Sequence, residues 1–334
     1  LSTINTIFAH LFYRLIFCLM YKFITALAFI FLSINLSSQI VFVPQWYPQA
    51  QFAGYYVARE KGFYEELNLD VKITHPVSSQ NALDYLVKNE ADIISLFLVS
   101  GLSAYSQGAD IINIGQLSQT SSLLFVAKED RQILNIKDFN DKKIGIWKSG
   151  FDELPRIFMK NYNLDVDWVL LTSSVNLFLM DGVDILTVTY YNEYDQIINS
   201  GINEDELTRF FLNEYGYDVP EDGLYCKKST LKNKKEDIEK FYLASFKGWK
   251  YAKENPEEAL KIVLKVMEEE RLASNFAHQK WMLEKMLELI VPDDKTSYGK
   301  LSQESFQHTY EILKSAGYIN SDIKYEEFYQ SPIK

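Results

Sequence analysis

The sequence predicts an α/β protein of two Rossmann-like lobes, with a helical C-terminal tail packed on the first lobe. Three observations carry this. From Gln39 onward, short β-rich runs alternate with amphipathic helical stretches, the pattern of α/β sheets. The alternation comes in two series. From Ile238 the chain is almost all helical in pattern. A length of 334 residues suits two cores of ordinary size better than one.

The elements follow in order. Ile40–Pro44 reads as a strand, and 51–66 as a helix with Phe52, Tyr55, Tyr56 and Phe63 on or beside one face. Val71–Thr74 is a strand. Ser79 has the character of an N-cap for a helix whose apolar face is Ala82, Leu83, Leu86 and Val87. A strand over 92–95 and a helix to Gln107 follow, stopped by Gly108. Strands over 111–116 and 123–127 close the first series. The second runs through a strand over 143–147, a helix over 153–162 with capping-box spacing from Ser149 to Asp152, and a strand over 166–171. A helix from Ser174, a strand over 183–189 and a helix over 192–200 complete it, with Gly201 behind. In the tail, Asn255-Pro256 breaks one helix and starts the next. Such alternation predicts parallel sheets, with ligands at the carboxyl ends of strands. The chain is expected to cross between lobes near Ser122–Val126 and return near Gly223–Cys226, giving lobe 1 as 39–124 with 225–334 and lobe 2 as 125–224.

The first 38 residues read as an export signal. Lys22 precedes an apolar run from Phe23 to Leu32, followed by Ser37 and Ser38, and that run is too short to span a bilayer stably. Met20 is the expected initiator, with the residues before it an over-extended start; a retained anchor over 7–19 is the alternative. Extracytoplasmic or periplasmic localisation follows from the signal.

Composition narrows function by exclusion. The chain holds 34 Lys and Arg against 45 Asp and Glu, a net charge of −11. Loss of 1–38 would remove Arg14 and Lys22 and no acid, so no footprint for nucleic acid or anionic lipid exists. The basic run 227–235 opens a Glu- and Asp-rich helix and reads as a solvated face. Cys18 lies in or before the signal, leaving Cys226 as a lone thiol and a large core as the source of stability. His75, His278 and His308 stand apart without zinc-ligand spacing, so no metal is expected. No GxSxG, P-loop or GxGxxG is present, which disfavours an enzyme and gives no cofactor.

Three segments carry binding potential, each at a strand's carboxyl end. In Trp46–Ala58 a strand feeds a helix through Pro48, whose backbone N–H groups would be available to a ligand. Trp46 offers a flat wall, Gln49 or Gln51 an amide, and Phe52 a further ring; packing between lobe and helix is the plainer role for Trp46 and Phe52. In Gly145–Gly150, Trp147 and Ser149 would face the cleft from the other lobe. In Thr189–Tyr194, Tyr190 or Tyr191 could stack on a planar ring, while Asn192 and Glu193 could bind an amino group or ring N–H. Glu193 also suits a helix first turn, where the macrodipole favours an acid.

The segments Trp46-x-Pro-x-x-x-x-x-Gly-x-Tyr-Val-Ala58 and Glu60–Val71 resemble the opening of the thiamine-precursor branch of type II periplasmic binding proteins, relatives of the taurine and alkanesulfonate binders. Ala91-Asp-Ile, Leu134–Gly145, Gly182-Val-Asp-Ile-Leu and Trp249–Leu260 match the same family in order. The resemblance implies a periplasmic-binding-protein-like Venus-flytrap fold. It also implies a monomeric, non-enzymatic solute-binding protein serving an ABC permease, with an aminopyrimidine such as formylaminopyrimidine in the interlobe cleft. Another small organic ligand such as an alkanesulfonate, or a ligand-presenting sensor module, is the alternative. The family also contains fungal synthases that build the thiamine pyrimidine from pyridoxal phosphate and a histidine of their own. Here that histidine is replaced by Phe52, and only Cys226 remains of their cysteine-rich iron-binding run.

Overall fold

Ten strands of a computed structural model, which describes residues 39–77, 80–147, 151–172, 174–291 and 298–333, form two five-stranded sheets. The first contains β1 (Gln39–Val43), β2 (Asp70–Ile73), β3 (Ile93–Phe97), β4 (Ile112–Gln116) and β10 (Asp222–Cys226), in the order β2-β1-β3-β10-β4. The second contains β5 (Leu123–Lys128), β6 (Lys142–Trp147), β7 (Val166–Leu171), β8 (Ile185–Thr189) and β9 (Leu207–Phe211), in the order β7-β6-β8-β5-β9. The fold is the two-lobed α/β architecture expected.

Both sheets are mixed, which corrects the expectation of parallel ones. β10 runs antiparallel to β3 and β4, and β5 antiparallel to β8 and β9. The cause is connectivity. A chain that leaves one sheet, enters the other and later returns inserts each crossing strand against the direction of its neighbours. Central strands β3, β8 and β10 are buried along their whole length, as strands covered on both faces must be; of the first sheet's two edge strands, β4 is likewise buried whereas β2 exposes alternate residues.

The helices are α1 (Ala53–Glu60), α2 (Ala82–Val87), α3 (Leu98–Ser106), α4 (Glu153–Asn161), α5 (Asn176–Leu179) and α6 (Glu193–Asn199), then α7 (Lys228–Asn233), α8 (Lys235–Glu254), α9 (Pro256–Glu269), α10 (Phe276–Ile290), α11 (Gln303–Ser315) and α12 (Tyr325–Phe328). The single helix expected over 51–66 is instead a 3-10 turn (Ala50–Phe52), α1 and a second 3-10 turn (Glu65–Leu67), because Gly62 at φ +73° breaks the run. Asn81, not Ser79, caps α2, through a capping box with Asp84; Ser79 itself lies outside the described residues. The export signal and the Ser149 cap lie outside them as well.

The tail covers the first sheet. α8 lies along α1, and Trp249, Tyr55, Tyr56 and Phe241 are buried between them. Each such aromatic contributes about 2–3 kcal/mol through the surface it removes from water. α11 and α12 close the other face with Phe306, Leu313 and Phe328, in a core that continues through Leu123 and Phe125 into the second sheet. No helix among the described residues is long and apolar enough to cross a membrane.

The two crossing segments run side by side and are bonded to each other. The Leu117 amide donates to the Asp222 carbonyl at 2.8 Å, and the Glu221 amide donates to Ser118 Oγ at 2.8 Å. The Ser122 amide and hydroxyl donate to the Glu221 carboxyl, at 2.6 and 2.9 Å.

Candidate functional site

The ends of β1, β6 and β8 converge between the sheets. Leu123 pairs with Thr189 in the β5–β8 ladder, so the crossing strand starts beside the carboxyl end of β8. A small compartment of about 20 Å³ lies here, lined by Trp46, Gln49 and Gln51 from the first lobe's β1–α1 connection, and by Leu123, Trp147, Phe151, Thr189, Tyr191, Asn192 and Glu193. Of the residues singled out in the sequence, Trp46, Gln51, Trp147, Tyr191, Asn192 and Glu193 meet in this one place. Phe52 and Tyr190 do not, and Ser149 lies outside the described residues.

Each wall is held by specific bonds. The Trp46 carbonyl lies 2.6 Å from His75 Nδ1, and His75 Nε2 lies 2.8 Å from the Tyr56 hydroxyl. Burial lowers the His75 pKa to about 4, so the ring is neutral and serves as a fixed bridge between the β1–α1 connection and α1. Trp147 donates from Nε1 to the Thr187 carbonyl at 2.9 Å, which sets the plane of its indole. Phe151 meets Trp46 edge-on at 5.5 Å and Phe97 at 4.7 Å between ring centres.

The polar groups form two sets. Gln49 donates to Gln51 Oε1 at 2.7 Å, and Gln51 donates to Asp222 Oδ2 at 3.0 Å, with Gln45 donating to the same carboxyl. Asp222 and its neighbour Glu221 are both buried with no cation paired to them among the described residues; burial pushes their carboxyls up to about 7 and about 8. On the other side, Glu193 Oε2 accepts from the Thr189 amide at 2.9 Å and hydroxyl at 2.7 Å, while Oε1 accepts from Asn192 at 2.9 Å. Burial raises the Glu193 carboxyl and the Thr189 bonds oppose that rise. A carboxylate has about four lone-pair sites, so one remains for a ligand N–H after these three donors.

One expectation fails on geometry. The first amide of the Ala50–Phe52 turn, Ala50 N, donates to Gln279 Oε1 of α10 at 2.8 Å and is therefore not available to a ligand. Phe52 turns into the first core, only 1% exposed, because the tight turn at Ala50 directs it beneath His75. Tyr190 turns the other way, stacking on Tyr194 at 4.9 Å and packing on Trp281, whose Nε1 donates to the Tyr190 carbonyl at 3.0 Å.

The model of the family described as NMT1/THI5 like matches residues 49–259, a span that includes Gln49, Gln51, Trp147 and Glu193. The chain belongs to the NMT1/THI5-like family. It is 22% identical over 301 residues to the riboflavin-binding protein RibY of Chloroflexus aurantiacus, covering 86% of this chain and 84% of that one. It is 22% identical over 304 residues to the formylaminopyrimidine-binding protein of Halalkalibacterium halodurans, with 86% and 88% covered. A putative thiamine biosynthesis protein of Haemophilus influenzae is 25% identical over 223 residues, with 64% and 69% covered. Among solved structures, the periplasmic aliphatic sulphonate binding protein SsuA of Escherichia coli superposes with a TM-score of 0.67 at 13% identity, over 87% of this chain and 97% of that one. A Candida albicans protein with the generic periplasmic binding protein fold gives 0.63 at 16%, over 88% and 95%.

Within this NMT1/THI5-like chain, sequence reasoning missed Phe151, His75 and Asp222. Phe151 directly follows the segment that ends at Gly150, so its proximity to Trp147 was the available signal. His75 and Asp222 carried none, since their partners lie far away along the chain.

Proposed function

We propose that this chain is an extracytoplasmic solute-binding protein of the ABC-importer type that holds an amino-bearing planar heterocycle, an aminopyrimidine, between its lobes. One observation carries the reading: indole and phenol walls from both lobes converge with an acceptor carboxylate, Glu193, at the carboxyl ends of strands. A ring placed between Trp46 and Trp147 would contact both lobes at once and so favour the closed arrangement by its differential contacts. Glu193 would accept from an exocyclic amino group or ring N–H. The relatives named for formylaminopyrimidine and riboflavin, both nitrogen heterocycles, support the ligand class. We take 39–124 with 225–334 as one lobe and 125–224 as the other, with the paired crossing segments as the hinge. A monomer that hands its ligand to a permease follows from this reading.

The lining charges favour an amine over a sulfonate. No Lys, Arg or His lines the compartment among the described residues. Chemistry of the protein's own has little support: Phe52 lies in the core, and the fully buried Cys226 thiol is held neutral by burial.

The compartment is too small for a ring as it stands, since about 20 Å³ is little more than one water's worth. Entry therefore requires Phe151 to swing or the lobes to part. The decisive test is calorimetric titration of the purified chain with a panel of aminopyrimidines, together with mass spectrometry of small molecules released on denaturation. Micromolar or tighter binding with a tryptophan fluorescence change is expected. No response to any heterocycle, with a sulfonate recovered from the denatured protein, would reject the ligand class.

A further inference from the structure

Beyond Trp46 and Phe151 the interlobe space widens into a second cavity of about 490 Å³. Both rings line both spaces, so the compartment and the wide cavity share a wall. The volume lies within the range of about 300–1,000 Å³ typical of small-molecule sites. A single ring confined to the compartment would leave that space unused.

The charge of the wide cavity is one-sided. Among its described lining residues the only charged groups are Asp84 and Glu153. Asp84 is committed to the start of α2, accepting from the Asn81 amide at 2.9 Å. Glu153 accepts from Ser100 Oγ at 3.2 Å, and no Lys, Arg or His among the described residues pairs with it. The neighbouring Arg156 is taken by Asp152, Nε to Oδ2 at 2.8 Å. The start of α4 explains why an acid is tolerated at 153. It does not explain why that acid faces a cavity, and burial holds its carboxyl above its usual range. A second group points the same way: Ser103, only 6% exposed, lines the cavity, and its buried hydroxyl has no hydrogen-bond partner among the described residues. Buried hydroxyls are rarely left unpaired.

We infer that the ligand is bipartite, a planar ring carrying a chain that ends in an amine, with the amine in the wide cavity on Glu153, Ser100 and Ser103. This rests on the ring assignment proposed above and extends it to the substituent. An ammonium group supplies the cation that Glu153 lacks and a donor for Ser103 Oγ. A sulfonate or phosphate at the same place would meet two carboxylates and, among the described lining residues, no base.

The test separates ring from chain. Calorimetric titration at neutral pH compares three 4-aminopyrimidines, bearing a 5-methyl group, a 5-aminoalkyl chain, or an alkyl chain of the same length without the amine. On the wild-type chain the aminoalkyl compound is expected to bind about tenfold tighter than the plain alkyl one, the gain of one charge-assisted hydrogen bond. In Glu153→Gln that advantage falls below about threefold. Ser103→Leu, which fills the cavity beside Glu153, removes it as well, and thermal unfolding of each variant checks that it folds. The proposal is overturned if the amine gives no gain on the wild-type chain, or if the gain survives in both variants. Failure of all three compounds to bind the wild-type chain overturns the ring assignment, and this proposal with it, and so is distinct from loss of the chain effect alone.

Discussion

Alanine at Gly248 is expected to destabilise the fold, against the usual sign for this substitution in a helix. In the interior of a regular helix, Gly→Ala gains about 1 kcal/mol from propensity. Here α8 and α1 approach so closely that a Cβ on Gly248 would lie 2.0 Å from the Gly54 carbonyl oxygen, with Ala58 Cβ at 2.9 Å and Ala58 N at 3.0 Å. The first contact is to backbone, which cannot rotate away, so the helices must separate by roughly an ångström. Overpacking of this kind costs about 1–3 kcal/mol, and separation also loosens fully buried Trp249 against Tyr55 and Phe241. The net expectation is a loss of about 1–2 kcal/mol, read as a lower urea midpoint by tryptophan fluorescence. Alanine at exposed Lys250, on the same helix, is the control and should leave the midpoint nearly unchanged. The displacement would also reach the small compartment, because α1 follows the turn that carries Gln49 and Gln51. A midpoint for Gly248→Ala equal to or above wild type would refute the claim that this contact limits the approach of the tail.

Three further outcomes follow from the site and its supports. Glu221 and Asp222 have folded pKa values of about 8 and about 7, above their ordinary values near 4, so their neutral forms favour the fold. Their full contribution is present below about pH 4 and is lost as pH rises through the folded values, so the melting temperature should fall between about pH 4 and pH 8 and level off above, by the equivalent of a few kcal/mol. Glu221→Gln should flatten that slope, and an unchanged slope would show that the acids are not protonated in the fold. Glu193→Gln should weaken aminopyrimidine binding by roughly tenfold or more, since a charged acceptor is replaced by a neutral one; titration calorimetry showing no change would remove Glu193 from the site. Phe151→Ala should speed ligand association in stopped-flow fluorescence by opening the wall between compartment and cavity, and an unaltered on-rate would mean that entry does not pass that ring.

Much of this was legible in the sequence because strand ends announce themselves. The runs closing at Pro44, Trp147 and Thr189 are apolar, β-branched and short, so the residues just beyond them had to emerge at the carboxyl edges of sheets. What the sequence could not carry is direction. Phe52 and Tyr190 stand beside true lining residues, yet one rotates under His75 and the other onto Trp281. Those partners lie 23 and 91 residues away along the chain, and local periodicity has no access to such distances. Strand orientation was hidden for the same reason: β5 and β10 look like any other buried strand until the chain's crossing fixes which way each must run. Glu221 and Asp222 carry no sign of their burial in the sequence, and only their enclosure without a cation among the described residues reveals the protonation it implies.

α10 has a mechanical consequence. Within a single turn, Gln279 holds Ala50 of the first lobe, while His278 holds Asp195 at 2.7 Å and approaches Asn192 at 3.2 Å, and Trp281 holds Tyr190, all in the second. Two crossing strands alone would leave the lobes one rotational freedom, like a book opening on its spine. A third attachment away from the spine removes that freedom while it lasts. Opening would then be a threshold event, in which a handful of side-chain bonds must let go together, and the ease of letting go would be set on a helix with no residue among the described lining of the small compartment.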